Sequence, residues 1–279
     1  MIPKILHFVF GFSPDFGHMS FSLAHHLAVK SAVVLNQPDK VYFHFQYEPR
    51  GEWWKETLPL ITPNQLTAPT EIEGRPLLHF AHKSDVVRLR MLQEHGGIYL
   101  DMDTICVKPF DDLLQNEFVI GSEFNTPYVP RNKRQQVKYD IKKWLGLVGN
   151  GELTIQGLCN AVMLSAPGSR FVERWLREYK SFRSEGRDKY WDEHSVKVPG
   201  RLAEQIPETL TVLSPYAFFY PLYDRLSLAA LFEEDHEYPQ AYVHHLWESF
   251  AWEKYLSKLT PDDIRNRNTS YNRIARRYL

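Results

Sequence analysis

The chain has 279 residues, 43% hydrophobic and 24% charged, enough apolar material for a sizeable core and too much for a disordered chain. Lys and Arg number 33 against 34 Asp and Glu, a net charge of -1, which excludes a protein held to nucleic acid mainly by phosphate contacts. No apolar run approaches the roughly 20 residues of a membrane span, and two cysteines, Cys106 and Cys159, cannot build a disulfide scaffold and read as reduced, buried thiols.

In chain order, Ile5 to Phe10 closed by Gly11 reads as a buried first strand. Its apolar stretch is interrupted by His7 and lacks a cleavage site, so no secretory leader is expected. Ser20 to Asn36 carries helical spacing, ended by Pro38. Val41, Phe43 and Phe45 alternate with Tyr42, His44 and Gln46, a strand. A loop-rich stretch follows to about Pro76, then a helix over 80–95 that Gly96-Gly97 terminates. Ile98-Tyr99-Leu100 runs into Asp101-Met102-Asp103, and Phe118 to Gly121 and Ala161 to Leu164 are further strand candidates. Strands alternating with helices predict an α/β fold with a mostly parallel sheet.

Gly96 to Asp103 carries the strongest chemical signal. A buried strand ends in two carboxylates two positions apart, and residues at i and i+2 share a face. The carboxyl ends of strands are where open α/β sheets bind ligands, and hard oxygen ligands suit Mg2+ or Mn2+. Upstream, Asp85, Arg88, Leu89 and Leu92 fall on one helix face. Leu89 and Leu92 must pack inward, so the charged pair is carried toward the protein. Near the end, His244 and His245 alternate along a short strand, one on each side. Whichever meets the carboxylates would complete a mixed oxygen and nitrogen site for Mn2+.

Two basic segments interrupt the neutral balance: Arg131 to Lys143, opposed by Asp140 alone, and the chain from Lys254 onward. Ile264, Tyr271, Ile274 and Tyr278 follow one helical stripe in the latter. Either the stripe packs on the main domain, or its arginines meet an anionic membrane surface.

The segments Ile2 to Phe8, Ala81 to Arg88 and Gly96 to Asp103, with Asn160, Phe219-Tyr220-Pro221 and His244 to Trp252, together resemble the DXD-containing sugar-binding region of the Och1-like glycosyltransferases, family GT32. The resemblance spans about residues 2–252. It departs at Lys197-Val198-Pro199-Gly200, where the family has Thr-Gly-Pro-Gly. It implies a GT-A fold, a single Rossmann-like α/β/α sandwich over 1–253, with 126–150 an insertion or acceptor-side loop and 254–279 a basic helical tail. It further implies a retaining, metal-dependent hexosyltransferase using Mn2+ or Mg2+ and a nucleotide sugar, UDP-sugar before GDP-mannose, with a glycan or lipid-linked acceptor in surface polysaccharide synthesis. By position, Phe8, Val9 and Phe10 would line the base pocket; Asp85 and Arg88 would hold the donor sugar. Asp101 would contact ribose or sugar and share the metal, Asp103 and His244 would ligate it, and Asn160 would face the transferred sugar. Trp247, Ser249 and Trp252 would lie near the diphosphate. A cytoplasmic enzyme, peripheral at the inner membrane face through its tail, is the expected setting.

Two other classes compete. Leu100-Asp101-Met102-Asp103-Thr104-Ile105 satisfies the Asp-x-Asp-x-Thr signature of haloacid dehalogenase-type phosphohydrolases, with Asp101 as nucleophile. A non-catalytic sugar-binding protein would keep the fold without needing a metal.

Overall fold

Alternation along the first strand sends Leu6 and Phe8 to one face and His7 and Val9 to the other, and the sheet built on it separates two cores. The computed structural model describes residues 1–15, 21–125, 133–144 and 153–279. Its strands are β1 (Ile5–Val9), β2 (Lys40–Phe45), β3 (Thr62–Gln65), β4 (Glu71–Ile72), β5 (Arg75–Pro76), β6 (Gly97–Leu100), β7 (Thr104–Cys106), β8 (Phe118–Asn125), β9 (Thr154–Ser165), β10 (Thr211–Leu213) and β11 (Val243–His245). The main helices are α1 (Leu23–Asn36), α2 (Glu52–Thr57), α3 (Phe80–His95), α4 (Lys133–Trp144), α5 (Arg170–Glu178) and α6 (Val198–Gln205).

The central sheet has seven strands in the order β10-β8-β9-β6-β1-β2-β3. Only β9 runs against its neighbours; every other pairing in that sheet is parallel. The α/β class and the mostly parallel sheet are therefore as the residue pattern predicts. One face packs Leu27, Phe43, Leu100 and Phe218 in a core that includes α1, and the other packs Leu89, Tyr99, Phe171 and Trp175 with α3 and α5.

Gly97 sits at φ 106°, and a Cβ there would meet the Ile5 carbonyl oxygen at 2.4 Å. Only glycine lets β6 close on β1 at this point. Beside it runs a polar chain through the sheet. Asn64 donates to His44 Nδ1 at 2.9 Å, which leaves His44 Nε2 to donate to His7 Nδ1 at 3.1 Å. His7 Nε2 then donates to the Gly96 carbonyl at 2.9 Å. Each ring is neutral in this arrangement, one nitrogen accepting and the other donating.

The C-terminal segment belongs to the core. Ile264, Tyr271, Ile274 and Tyr278 are buried in the same cluster as Phe8. Three of its arginines are engaged: Arg273 with Asp235 and Glu237, Arg276 with the Ile264 and Arg267 carbonyls, Arg277 with the Val107 carbonyl. The packing alternative for this stripe is thus the one the fold displays. Of the expected 126–150 insertion, only 133–144 lies within the described residues, as α4. Cys106 and Cys159 are free and buried.

Candidate active site

β6 carries the Asp-x-Asp pair to the carboxyl edge of the sheet. The Asp101 N–H still bonds the Ala161 carbonyl of β9 at 2.8 Å, and the Thr104 hydroxyl donates to the Asp101 carbonyl at 2.8 Å, closing the turn. β7 then returns beneath β11, with His245 opposite Thr104 and His244 opposite Ile105. The turn is clamped from that side: Leu246 N–H donates to the Asp103 carbonyl at 2.6 Å, and Glu248 N–H to Asp103 Oδ2 at 2.7 Å. In consequence His245 Nε2 stands 3.4 Å from Asp103 Oδ1 and 3.9 Å from Asp101 Oδ2. Asp101, Asp103 and His245 each present a ligand atom within 4.8 Å of the others.

The expected histidine was the other one. His244 faces away, its Nδ1 3.0 Å from the Tyr220 carbonyl and its ring against Tyr238. Strand alternation makes the two mutually exclusive, so His245 takes the place assigned to His244.

Charge in this corner is unevenly compensated. Burial pushes the Asp101 carboxyl up, but Arg88 and hydrogen bonds from His245 and Tyr99 outweigh it and hold it below the usual range. Asp103 goes up, through burial first and then the charges of Asp101 and Glu248, against the pull of His245. Burial lowers the proton affinity of His245, yet Asp103, Asp101 and Glu123 together raise it above ordinary histidine. A set of two hard carboxylates and one imidazole with surplus negative charge fits Mn2+ or Mg2+.

Behind the pair lies a buried polar network. Asp85, Arg88 and Asn160 are each 5–6% exposed. Arg88 Nη1 reaches Asp101 Oδ1 at 3.0 Å and the Asn160 carbonyl at 3.0 Å. Asn160 Nδ2 donates to Asp85 Oδ1 at 2.8 Å, and the Arg88 guanidinium lies over the Tyr99 ring at 4.4 Å. Tyr99 in turn donates to Asp101 Oδ1 at 2.6 Å. Helix periodicity thus did carry Asp85 and Arg88 inward; Arg88 Nη1 goes to Asp101 and Asn160, its Nε to the Ser84 carbonyl at 3.4 Å and its Nη2 stands 3.5 Å from Asp85.

At the end of β1 the three residues expected at the base pocket part company. Phe8 is wholly enclosed and cannot line a pocket; Val9 is buried on the opposite face. Phe10 is half-buried against Phe21 and His25. His25 stacks on Trp252 and pairs with Glu248 Oε1 at 2.6 Å. Trp247 packs on His245 at 4.2 Å between ring centres and donates to the Pro221 carbonyl at 2.8 Å. It holds φ 55°, a left-handed backbone rare for a bulky residue and found where surroundings enforce it. Ser249 is exposed on the following turn. The departure at Lys197 to Gly200 falls where α6 begins.

Sequence reasoning missed Tyr99, His25, Glu248 and Glu123. Glu123 is a buried carboxyl that burial pushes up, close to Cys159 and facing the charge of His245. The length of the apolar run in β8 could not reveal it, since the strand continues through polar Ser122 and Glu123 by pairing with β9. The pairing of Asp262 and Asp263 with Arg265 and Thr260 gives them partners within their own helical turn, not the role that the phosphohydrolase reading needs.

Comparison with known proteins agrees with this geometry. Residues 18–119 match the glycosyltransferase sugar-binding region containing a DXD motif, and residues 72–189 match a capsular polysaccharide synthesis protein family. Glucan organizing enzyme 1 of Cryptococcus neoformans var. grubii is 36% identical over 285 aligned positions, covering 100% of this chain and 71% of that protein. Mouse xyloside xylosyltransferase 1 aligns over 90% of this chain and 99% of its own at 13% identity, TM-score 0.49. GlyE of Streptococcus pneumoniae covers 100% and 60% at 14%, TM-score 0.48; at that distance neither assigns a residue role. The chain belongs to the glycosyltransferases with a DXD-containing sugar-binding region, and it is a glycosyltransferase whose fold is α/β with a mostly parallel central sheet.

Proposed function

We propose that the enzyme moves a hexose from a nucleoside-diphosphate sugar, UDP-linked in preference to GDP-mannose, to a glycan or lipid-linked acceptor of a surface polysaccharide, with retention at the anomeric carbon. The observation that carries the reading is the Asp101, Asp103 and His245 cluster at the carboxyl edge of the sheet. The relatives named for glucan and capsular polysaccharide support the class of acceptor.

Mn2+ or Mg2+ held by Asp101, Asp103 and His245 would supply positive charge to a diphosphate leaving group. The chain's own groups do the rest. Arg88 and Tyr99 fix Asp101 by two hydrogen bonds to one oxygen, so its Oδ2 faces His245 in a set orientation. The Glu248 N–H fixes Asp103 in the same way. Asn160 holds Asp85, whose second oxygen remains to accept from a sugar hydroxyl. Phe10, His25 and Trp252 form an aromatic group suited to stacking on a base. A same-face displacement, with the departing phosphate accepting the acceptor's proton, asks least of the protein.

The test is a panel of UDP- and GDP-sugars with Mn2+, Mg2+ or a chelator, read as nucleoside diphosphate release and as the anomeric configuration of the freed or transferred sugar. Metal-dependent release from a UDP-hexose with an α-configured product is expected. Cleavage of an aryl phosphate in place of any nucleotide sugar would overturn the proposal.

A further inference from the structure

We infer that α4 is an interfacial helix that seats the enzyme on an anionic lipid bilayer. Val137, Ile141 and Trp144 stand at i, i+4 and i+7, one face of the helix, and are 57%, 53% and 85% exposed. Arg134, Lys138 and Lys142 are exposed as well and line one border of that face, 20–100° beyond Ile141, while Asp140 lies about 40° beyond Trp144 on the other. An aliphatic and indole stripe bordered on one side by cations has the composition of a helix lying at the headgroup level, where tryptophan is favoured and basic side chains reach the phosphates. The charge fixes the occupant. The helix carries five Lys and Arg against Asp140, which suits an anionic surface and disfavours a zwitterionic or acidic-poor partner.

Energetics points the same way. Among the residues of α4 whose exposure is described, every side chain is exposed, so the packing that holds α1 and α3 has no counterpart among those residues. A helix of about 12 residues is marginal in water without such packing. Burial of the stripe in a bilayer interface would supply it.

Topology gives the placement a purpose. β8 runs in the same direction as β6, so its carboxyl end, Asn125, lies on the edge that carries Asp101. β9 begins at Thr154, seven residues before Ala161, which bonds Asp101; at a strand's rise per residue, that is about 20 Å beyond the carboxylates. The chain between those two strand ends contains α4. A helix so carried would turn the open edge of the site toward the membrane, where a lipid-linked acceptor would lie. That last clause rests on the proposed function; bilayer binding itself does not.

Flotation of the full chain with vesicles of phosphatidylcholine, or of phosphatidylcholine and phosphatidylglycerol, tests the inference. Binding to the anionic vesicles alone, weakened by salt, is expected. Changing Val137, Ile141 and Trp144 to Ser should abolish it, and changing Arg134, Lys138 and Lys142 to Gln should reduce it at least tenfold, each basic residue near such a surface being worth about fivefold. Donor hydrolysis and melting temperature should be unchanged in both variants. A variant with Arg273, Arg276 and Arg277 changed to Gln should still float. No flotation of the wild type, equal flotation of the serine variant, equal binding to neutral vesicles, or loss on changing the tail arginines alone would each overturn it.

Discussion

Arg88 Nη1 lies 3.0 Å from Asp101 Oδ1, a contact between the middle of a helix and the end of the neighbouring strand. The i,i+3 partner Asp85 is more distant, 3.5 Å from Nη2. The long-range pair, and not the local one, is what the guanidinium is built around. Burial disfavours its charge, but Asp101, Tyr99 and Asp85 raise its proton affinity further, so it stays a cation. Arg88 is best understood as the residue that keeps Asp101 ionised and oriented.

Arg88→Lys should therefore damage both turnover and stability. An ammonium cannot reach Asp101 and the Asn160 carbonyl while covering the Tyr99 ring. The buried acceptors it abandons cost about 1–3 kcal/mol, far above the few tenths expected of a surface i,i+3 pair. Thermal unfolding should drop by several degrees, and metal-dependent donor hydrolysis by at least about tenfold. Wild-type melting and turnover in this variant would reduce the pair to an incidental contact.

His244 and His245 separate cleanly by mutation. His245→Ala removes one of three candidate ligands and should weaken Mn2+ binding by about 10–100-fold, by analogy with other disrupted metal shells. His244→Gln keeps a donor for the Tyr220 carbonyl and should leave Mn2+ binding intact. Titration calorimetry with Mn2+ on both proteins decides the matter; the reverse pattern would return the ligand role to His244.

Much of this site could be read from residue order, and the unread part has a common cause. The 80–95 helix, the Gly-Gly stop and the strand into Asp101 all rest on local periodicity and turn chemistry, and α3 indeed spans Phe80–His95. β3, however, is Thr-Pro-Asn-Gln, mostly exposed and polar, and forms only because β2 offers it a parallel edge. The choice between His244 and His245 was hidden similarly. β11 has three residues, all buried, so no polar face reveals its phase. His25 and Glu248 are 223 positions apart, a separation across which no pattern in one sequence can speak.

Metal binding should depend on pH through His245. Its proton affinity is raised by Asp103 and Asp101, and a ligating imidazole must be neutral. Affinity should climb with pH through and above the ordinary histidine value of about 6.5, by up to tenfold per unit while the ring stays protonated. Stability in chelator runs oppositely. The protonated ring's pairing is fully present below about 6.5 and is lost as pH rises through the higher folded value. Mn2+ titrations at several pH values should show this slope in the wild type and lose it in His245→Ala; a slope shared by both proteins would place the titrating group elsewhere.

Acid stability should be governed by the other buried histidines. Burial lowers His7, His26 and His244 to about 4 and His44 to about 3. These rings are neutral in the fold, and in the unfolded chain each takes a proton near 6.5. The unfolded state thus binds more protons between about 6.5 and about 4, and folding stability falls as pH drops through that window. Asp101, whose carboxyl is held low, adds its loss only below about 3.8, so it follows most of the histidine effect and overlaps only the last part of His44, which reaches about 3. One fully expressed histidine contributes a slope of about 1.4 kcal/mol per pH unit. In the His7 and His44 pair, protonating either ring breaks the one-way chain that runs from Asn64 to the Gly96 carbonyl. Denaturant unfolding at pH 7.5, 6, 5 and 4.5 should therefore show a steep decline in the wild type, on the order of 1 kcal/mol per unit or more. His244→Gln, which cannot titrate, should be flatter across the same range by up to one proton's worth, with little change at pH 7.5. An unchanged slope in His244→Gln would mean that His244 is no less basic in the fold than in the open chain, and would remove burial as the cause of acid sensitivity at that position.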